Sequence, residues 1–341
     1  RQDLHREVDL IEEVARLTGF DRFEAHLPDP LVPGALSARQ QAERRIRRLI
    51  SAAGLQEITT LSLVGASEQE PDRIAISNPL LAETSFLRTN LWEELLQVCV
   101  RNLKTSQPGC WVFEIGNVFG GSAEAVEQRG LLAGMICGER RLERWTSSGK
   151  PAMPSYHEAR GRLTQVMQGL HLEVSDRTLE NDARLHPGRA ATLVLEGRPL
   201  GCFGQLHPRL AEQRDLPEAT YLFELDLQRL LEAATRSNRW VPTFKTFPTV
   251  PTSERDLAVV VDRSCPSALL MQTIRKAGKP LLEHVDLLDR FEGEQLGENK
   301  VSQAFRLRYR GKTTLKDEEV QPVHDKVRSA LVKQFKAELR S

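Results

Sequence analysis

Apolar residues recur at helical spacing at the start of the chain. They are Val8, Ile11 and Val14. This spacing predicts a helix over residues 4–18. Gly19 follows the last turn, as expected where a helix ends in a conformation that glycine adopts without strain. Acidic residues lie on the opposite face of this helix: Asp9, Glu12 and Glu13.

The middle of the chain mixes helical and strand patterns. A proline-containing linker over 21–34 precedes an arginine-rich helix over 37–53, which Gly54 ends. The predicted strands are Ile58–Val64, Trp111–Phe119, Leu131–Cys137, Ala191–Leu195 and Tyr221–Asp226. The predicted helices are Asn90–Leu103, Gly161–Gly169 and Pro208–Glu212. Glycine and prolines predict a surface loop over Arg140–Ser155.

A second proline-containing boundary, residues 232–251, precedes a more regular region. Its predicted elements alternate as strand, helix, strand, strand, helix, strand: Arg255–Val261, Ser267–Ala277, Val285–Phe291, Gln303–Arg310, Asp317–Phe335 and Ala337–Arg340. This βαββαβ order within about 95 residues is that of a ferredoxin-like sandwich. The pattern therefore predicts three segments: 1–34 as a helix with its linker (the end of a preceding domain, by the resemblance given below), 35–235 as a core, and 245–341 as a ferredoxin-like domain.

Composition narrows the class of protein. The chain has 341 residues, 47 Lys and Arg against 47 Asp and Glu, and so no formal net charge. Any nucleic-acid contact must therefore come from a local patch. Its apolar runs are too short to span a membrane, and five cysteines without a CxxC motif favour free thiols in a reducing cytoplasm. Because it starts at Arg1 and opens directly into a patterned segment, we expect a piece of a longer chain.

Several motifs carry a resemblance that runs along almost the whole chain. Those of the first two segments begin at residues 1, 53, 76, 86, 113, 185, 204 and 223, and read RQDLHREVDLIEEVARLTGFD, AGLQEI, ISNPL, FLRTNL, FEIGNVF, LHPGR, GQLHP and FELD. Those of the last segment begin at 247, 255 and 314, and read FP, RDLAVVV and TLKDEEV. In this order they resemble the C-terminal portion of bacterial phenylalanyl-tRNA synthetase β subunits.

The resemblance implies an α+β, multidomain fold: a non-catalytic, class II synthetase-like core with an antiparallel sheet, followed by a ferredoxin-like anticodon-binding domain. It implies a cytoplasmic (αβ)₂ heterotetramer that charges tRNA-Phe with phenylalanine, using ATP and Mg²⁺. The α subunit carries the active site in this family, so no catalytic residue is expected in this chain. The family's editing domain would lie upstream of it.

The resemblance also assigns Mg²⁺ ligands, shared with the α subunit, to four carboxylates: Asp3, Asp9, Glu12 and Glu13. Mg²⁺ prefers oxygen ligands and usually keeps several waters, so a few carboxylates on one helix face suit a site shared with a partner. The alternative is a solvated acidic face that stabilises the start of the helix. Spacing alone does not choose between them.

The last segment is the best candidate for binding RNA. From Lys245 onward it has 18 Lys and Arg against 14 Asp and Glu. In the strand over 303–310, alternation points three arginines to one side: Arg306, Arg308 and Arg310. We expect them on the open sheet face, where single-stranded RNA is commonly bound. The resemblance assigns the anticodon contacts to Ala258, Asp289 and Phe291, the last often a tyrosine in the family.

Two other interpretations are compatible with these residues. The chain could be a free-standing RNA-binding or scaffold protein that reuses these domains. It could also form aminoacyl adenylates by itself, although the Gly-containing stretches lack the arginines that a class II active site uses to clamp ATP. His186 and His207 each precede a proline and are expected to be structural.

Overall fold

The computed structural model of the chain describes residues 2–27, 34–67, 70–105, 107–139, 153–179, 181–236, 244 and 246–340. It forms two compact units, Arg1–Pro242 and Thr243–Ser341.

The first helix of the first unit, α1, spans Glu7–Thr18 and ends at Gly19, whose φ of 98° confirms the predicted stop. None of its residues is buried. The apolar side chains that predicted the helix, Val8, Ile11 and Val14, are all more than half exposed. The helix is therefore amphipathic, with its apolar face uncovered in the described part of the chain.

A seven-stranded sheet forms the centre of the first unit. Its strands are β1 Gln56–Glu57, β4 Gly109–Gly121, β5 Val126–Gly138, β6 Val174–Thr178, β7 Leu185–Leu195, β8 Arg198–Leu206 and β9 Thr220–Asp226. Their order in the sheet is β1-β4-β5-β9-β8-β7-β6, and all neighbouring pairs are antiparallel except β1 and β4. A separate short pair is β2 Leu63–Val64 and β3 Phe86–Leu87.

Apolar side chains cover both faces of the large sheet. One face packs against helices α2 Ala38–Ala52, α4 Tyr156–Gly169 and α6 Leu227–Ala234. The other packs against α3 Trp92–Lys104 and α5 Pro208–Gln213. Strand β9 shows the alternation: Phe223 faces the first group of helices and Leu222 the second, both fully buried. This core is thus a sheet between two helical layers.

The sequence prediction is wrong for one strand of this unit and misses several of its elements. The strand predicted over Ile58–Val64 is mostly irregular, because Thr60 bonds to the Glu114 carboxylate through both its N–H and its hydroxyl instead of joining a ladder. Strands β6 and β8 and helix α6 were not predicted. The loop predicted over Arg140–Ser155 lies mostly outside the described residues.

The second unit has the predicted βαββαβ order. Its elements are β10 Ser253–Asp262, α7 Ser267–Ala277, β11 Leu282–Phe291, β12 Lys300–Tyr309, α8 Asp317–Phe335 and β13 Glu338–Arg340. The sheet order is β11-β12-β10-β13, all antiparallel. Helices α7 and α8 cover one face through a single apolar core. This arrangement leaves the other face of the sheet without a helical layer in this unit.

All five cysteines are free thiols. None of the helices in the described ranges combines the length and apolar character needed to cross a membrane.

A buried polar pair lies in the core of the second unit. The Tyr309 hydroxyl and His324 Nδ1 are hydrogen-bonded at 3.1 Å, and both residues are over 90 % buried. Burial lowers the pKa of His324 below its ordinary value of 6.5, and the nearby Arg328 acts in the same direction. The native unit therefore favours the neutral imidazole.

This pair predicts a loss of stability in mild acid. An imidazole whose pKa is lowered by folding binds its proton more readily in the unfolded chain, so the free energy of unfolding should fall as the pH drops below about 6.5. The slope contributed by His324 is at most about 1.4 kcal/mol per pH unit. Urea unfolding followed by NMR signals of the second unit, between pH 7.5 and 5.5, measures it. His324→Gln should flatten the dependence, and an unchanged profile would contradict this origin.

Candidate nucleic-acid interface

Strand β12 separates the core of the second unit from its open face. Phe305, Leu307 and Tyr309 are fully buried under the helices, which confirms the alternation predicted from sequence. Arg306 and Arg308 alternate with them and are partly exposed on the other side. Arg310 follows the strand end. The open face therefore has an arginine row along its central strand.

The three predicted anticodon contacts meet at one end of this face. Ala304 of β12 is directly opposite Ala258 on one side and Asp289 on the other, and such opposed Cα atoms lie about 4.5–5.5 Å apart. Phe291 is two residues beyond Asp289 on β11, opposite Ser302. Its side chain is 47 % exposed. A small residue, a carboxylate and an exposed ring are thus close neighbours.

A β-bulge in β11 turns Asp289 and Phe291 toward the open face. The register runs from Leu287 opposite Phe305 directly to Asp289 opposite Ala304, so Leu288 has no partner on β12. The extra residue shifts the two-residue alternation by one position. Without this shift, strict counting from the buried Val285 would place Asp289 and Phe291 on the helix side.

Acidic residues of the neighbouring strands pair with the arginine row. Both oxygens of Asp256 accept hydrogen bonds from Arg306, at 2.8 Å from Nε and 2.8 Å from Nη2. Arg308 Nε donates to Glu254 at 3.0 Å, and its Nη2 lies 3.6 Å from Asp286. The Arg306 hydrogen bonds are the main cause that holds the pKa of Asp256 below its ordinary value. We call Glu254, Asp256, Asp286, Arg306 and Arg308 the acid–arginine block.

Arg310 makes contacts outside the acid–arginine block. Its Nε donates to Glu283 at 2.9 Å, and Nη1 donates to the carbonyl oxygen of Val250. By contrast, the exposed Asp289 carboxylate has no hydrogen-bond or ion-pair partner among the described residues. The candidate interface therefore has two halves. In one, the arginines are paired with carboxylates, and in the other, the Asp289 carboxylate has no partner among the described residues.

Sequence reasoning missed the acids that engage the arginines. Glu254 and Asp256 share the two-residue period of Ala258, out of phase with the buried Leu257, Val259 and Val261 of β10, and this alternation is a usable signal for the open face. The pairing of each acid with a particular arginine depends on the register between the strands. The sequence of a single strand does not determine that register.

The carboxylates predicted to bind Mg²⁺ lie at or just before α1. Asp9 accepts backbone hydrogen bonds from His5 at 3.0 Å and Arg6 at 2.8 Å. These bonds hold the pKa of Asp9 below its ordinary value, and the bond from His5 has the larger effect. Glu13 pairs with Arg16 at 2.6 Å. Among the described residues, no three His, Cys, Asp or Glu side chains form a group that could hold a metal ion.

The two histidines considered in the core make structural contacts. His186 Nδ1 accepts from the N–H of Gly188 at 3.0 Å. His207 Nδ1 accepts from the N–H of Arg209 at 3.2 Å, at the start of α5. Both arrangements agree with the structural interpretation.

Two family models match this chain. One, described as "Phenylalanyl tRNA synthetase beta chain CLM domain", matches residues 24–227. The other, "Ferredoxin-fold anticodon binding domain", matches residues 248–340. The second match covers nearly all of the second unit.

Similar whole proteins are named "Phenylalanine--tRNA ligase beta subunit". The protein from Synechococcus sp. (strain CC9605) is 76% identical over 342 residues, covering 100% of this chain and 42% of that protein. The one from Prochlorococcus marinus (strain MIT 9313) is 65% identical with the same coverage. The chain thus spans less than half of these curated relatives. A solved pyrrolysyl-tRNA synthetase from Desulfitobacterium hafniense is 13% identical, with a TM-score of 0.41, over 56% of this chain and 64% of that one.

Proposed function

We propose, since this chain belongs to the family of phenylalanyl-tRNA synthetase beta chains, that it is a C-terminal portion of the β subunit of phenylalanine–tRNA ligase. Its work is to support a catalytic α subunit and to bind tRNA-Phe during ATP-dependent phenylalanylation. The observation that carries the RNA-binding part is the grouping of Ala258, Asp289 and Phe291 on the open face of the second unit.

The chemistry of these three residues suits an unpaired base. Ala258 is small enough for a base to approach the sheet, Asp289 can accept a hydrogen bond from a base or ribose, and Phe291 offers a stacking plane. Arg306, Arg308 and Arg310 are proposed as the neighbouring tRNA contacts. Their ion pairs mean that they meet RNA as part of a mixed-charge surface.

The first unit is proposed as a class II synthetase-like core without catalysis. Its mainly antiparallel sheet is compatible with that fold, and the apolar side chains on both faces support a packing role. We assign 1–34 to the end of a preceding domain with its linker, 35–235 to this core, and 245–341 to the anticodon-binding domain. The expected assembly is a cytoplasmic (αβ)₂ heterotetramer, with ATP used by the active site of the α subunit.

Mg²⁺ binding by Asp3, Asp9, Glu12 and Glu13 stays a proposal. The ionised Asp9 suits a hard cation, but its carboxylate already accepts backbone hydrogen bonds at the start of α1. A complete site would therefore need oxygen donors from the α subunit. Mg²⁺ bound there would supply positive charge between the two chains.

The alternative of a free-standing RNA-binding or scaffold protein has less support. The relatives described above are named as ligase subunits, and no observation on the described residues favours the alternative.

Replacing Phe291 with alanine tests the RNA-binding proposal. In the full-length β subunit assembled with α, loss of one stacked base should raise the KM for tRNA-Phe about 5- to 150-fold, from about 1–3 kcal/mol per base. The KM values for phenylalanine and ATP should not change, because their site is on α. Aminoacylation kinetics measure all three constants.

Leu269→Ala is the matched control for this experiment. Leu269 is also 47 % exposed but lies on α7, on the helix side of the sheet. It should leave tRNA charging unchanged. An unchanged KM for tRNA-Phe in Phe291→Ala would contradict the proposal that a base stacks on Phe291.

A further inference from the structure

The arrangement of charge on the open face suggests how an RNA strand is selected there. Asp256 and Asp286 are the two direct cross-strand neighbours of Arg306. Arg308 likewise faces Glu254 and His284. Three carboxylates therefore surround two guanidinium groups in the acid–arginine block.

These charges act together on any approaching phosphate. Neighbouring strands are about 4.8 Å apart, and the Debye length is about 8 Å at physiological salt. Each arginine and its acids thus lie within one screening length. A phosphate near Arg306 would be attracted by the guanidinium and repelled by Asp256 and Glu254, which lie 2.8 Å and 3.8 Å from it, so its net attraction is small.

The Asp256–Arg306 pair also occupies the arginine groups that best recognise phosphate. A guanidinium binds a phosphate or carboxylate most strongly through two parallel N–H bonds. One such edge of Arg306, formed by Nε and Nη2, already holds both oxygens of Asp256. A phosphate must displace this carboxylate or use the remaining N–H groups.

The other half of the face has no such restriction. The Asp289 carboxylate has no partner among the described residues, and the Phe291 ring is half exposed. Stacking on a ring and hydrogen bonding to a carboxylate select bases, and they gain nothing from the phosphate charge.

We propose that Glu254, Asp256 and Asp286 suppress backbone binding at Arg306 and Arg308, so that a single strand is retained only where its bases fit Ala258, Asp289 and Phe291. The inference rests on the proposed function and deepens it. Non-specific binding comes almost entirely from phosphate contacts. Weakening that component widens the preference for the correct tRNA without adding a contact to it.

Asp256→Asn is the direct test in the intact 341-residue chain. The probe is a fluorescent 12-nucleotide oligouridylate, with its Kd measured from 0.05 to 0.3 M NaCl. If the variant frees one arginine for one phosphate, the plot of log Kd against log salt should steepen by about 0.7, so the gain in affinity over the wild type should be about 3.5-fold larger at 0.05 M than at 0.3 M. Glu254→Gln should act in the same direction through Arg308.

Asp325→Asn is the matched control. Asp325 also pairs with an arginine, Arg328, at 3.5 Å, but on α8 behind the sheet. The Asp325→Asn variant removes the same charge as Asp256→Asn and should leave the slope of log Kd against log salt unchanged. Equal slopes in Asp256→Asn, Glu254→Gln and the wild type would overturn the inference, as would an equal steepening in the control.

Parallel titrations with tRNA-Phe separate this inference from the proposed function. If the wild type prefers tRNA-Phe over an unrelated tRNA and the acid variants keep both the slope and the preference, only the inference fails. If the wild type has no preference and Phe291→Ala changes nothing, the proposed function fails, and the inference fails with it.

Discussion

Replacing Arg88 with methionine is expected to lower the free energy of unfolding of the first unit by about 3–5 kcal/mol. Arg88 is 3% exposed and its partner Glu114 is 1% exposed, with Nη1 at 2.9 Å from Oε1. Arg88 also donates to the Asn117 carbonyl oxygen at 2.8 Å. The substitution leaves a carboxylate buried without its cation, which costs more than the packing of methionine returns.

Urea denaturation measures this loss. Trp92 and Trp111 pack against the core of the first unit, and the sequence of the second unit contains no tryptophan. Tryptophan fluorescence therefore reports the unfolding of the first unit. The double variant Arg88→Met with Glu114→Leu removes both charges and should lose less than half as much stability. An equal loss in the single and double variants would mean that the buried charge is not the cause.

Replacing Gly201 with alanine should cost the first unit at least about 3 kcal/mol of unfolding free energy, at the upper end of the effects of overpacking. An added Cβ would lie 2.8 Å from the Cα of Leu225 and closer still to the carbonyl oxygen of Glu224. Both atoms are backbone of the paired strand β9. Rotation of a side chain therefore cannot relieve the contact, and β8 must separate from β9.

Gly161→Ala is the control for this substitution. Gly161 lies inside α4, and no atom is within 4 Å of an added Cβ. Alanine favours a helix interior over glycine by roughly 0.5–1 kcal/mol, so this variant should be more stable than the wild type. The two glycine variants, measured by the same tryptophan signal, should shift the urea midpoint in opposite directions. A shared sign would contradict the steric explanation.

Sequence patterns predicted the second unit better than the first for a physical reason. Its strands have one buried and one open face, so residues such as Leu307 and Arg308 alternate and mark the strand directly. Most of β8, by contrast, is buried. It contains Gly201 and Gly204, where neighbouring atoms lie too close for any larger side chain. In the sequence, however, two nearby glycines suggest a turn.

The candidate site divides in the same way. Local alternation along β12 was enough to predict that Arg306 and Arg308 share a face. Their pairing with Asp256 and Glu254 depends on residues about 50 positions earlier in the chain, and on a register that is set by folding. The grouping of Ala258 with Asp289 came from the family resemblance. The bulge that makes it possible has no distinctive local signature.

That bulge has a consequence for how this strand is aligned with others. From His284 to Leu287 the outward positions of β11 have even numbers, as at Asp286, and after Leu288 they have odd numbers, as at Asp289. A relative with a straight strand must therefore be aligned with a one-residue gap at position 288. An ungapped alignment would match the outward Asp289 to an inward position of the relative. The RNA-facing surface would then seem to have diverged, although the alignment was only wrong by one residue.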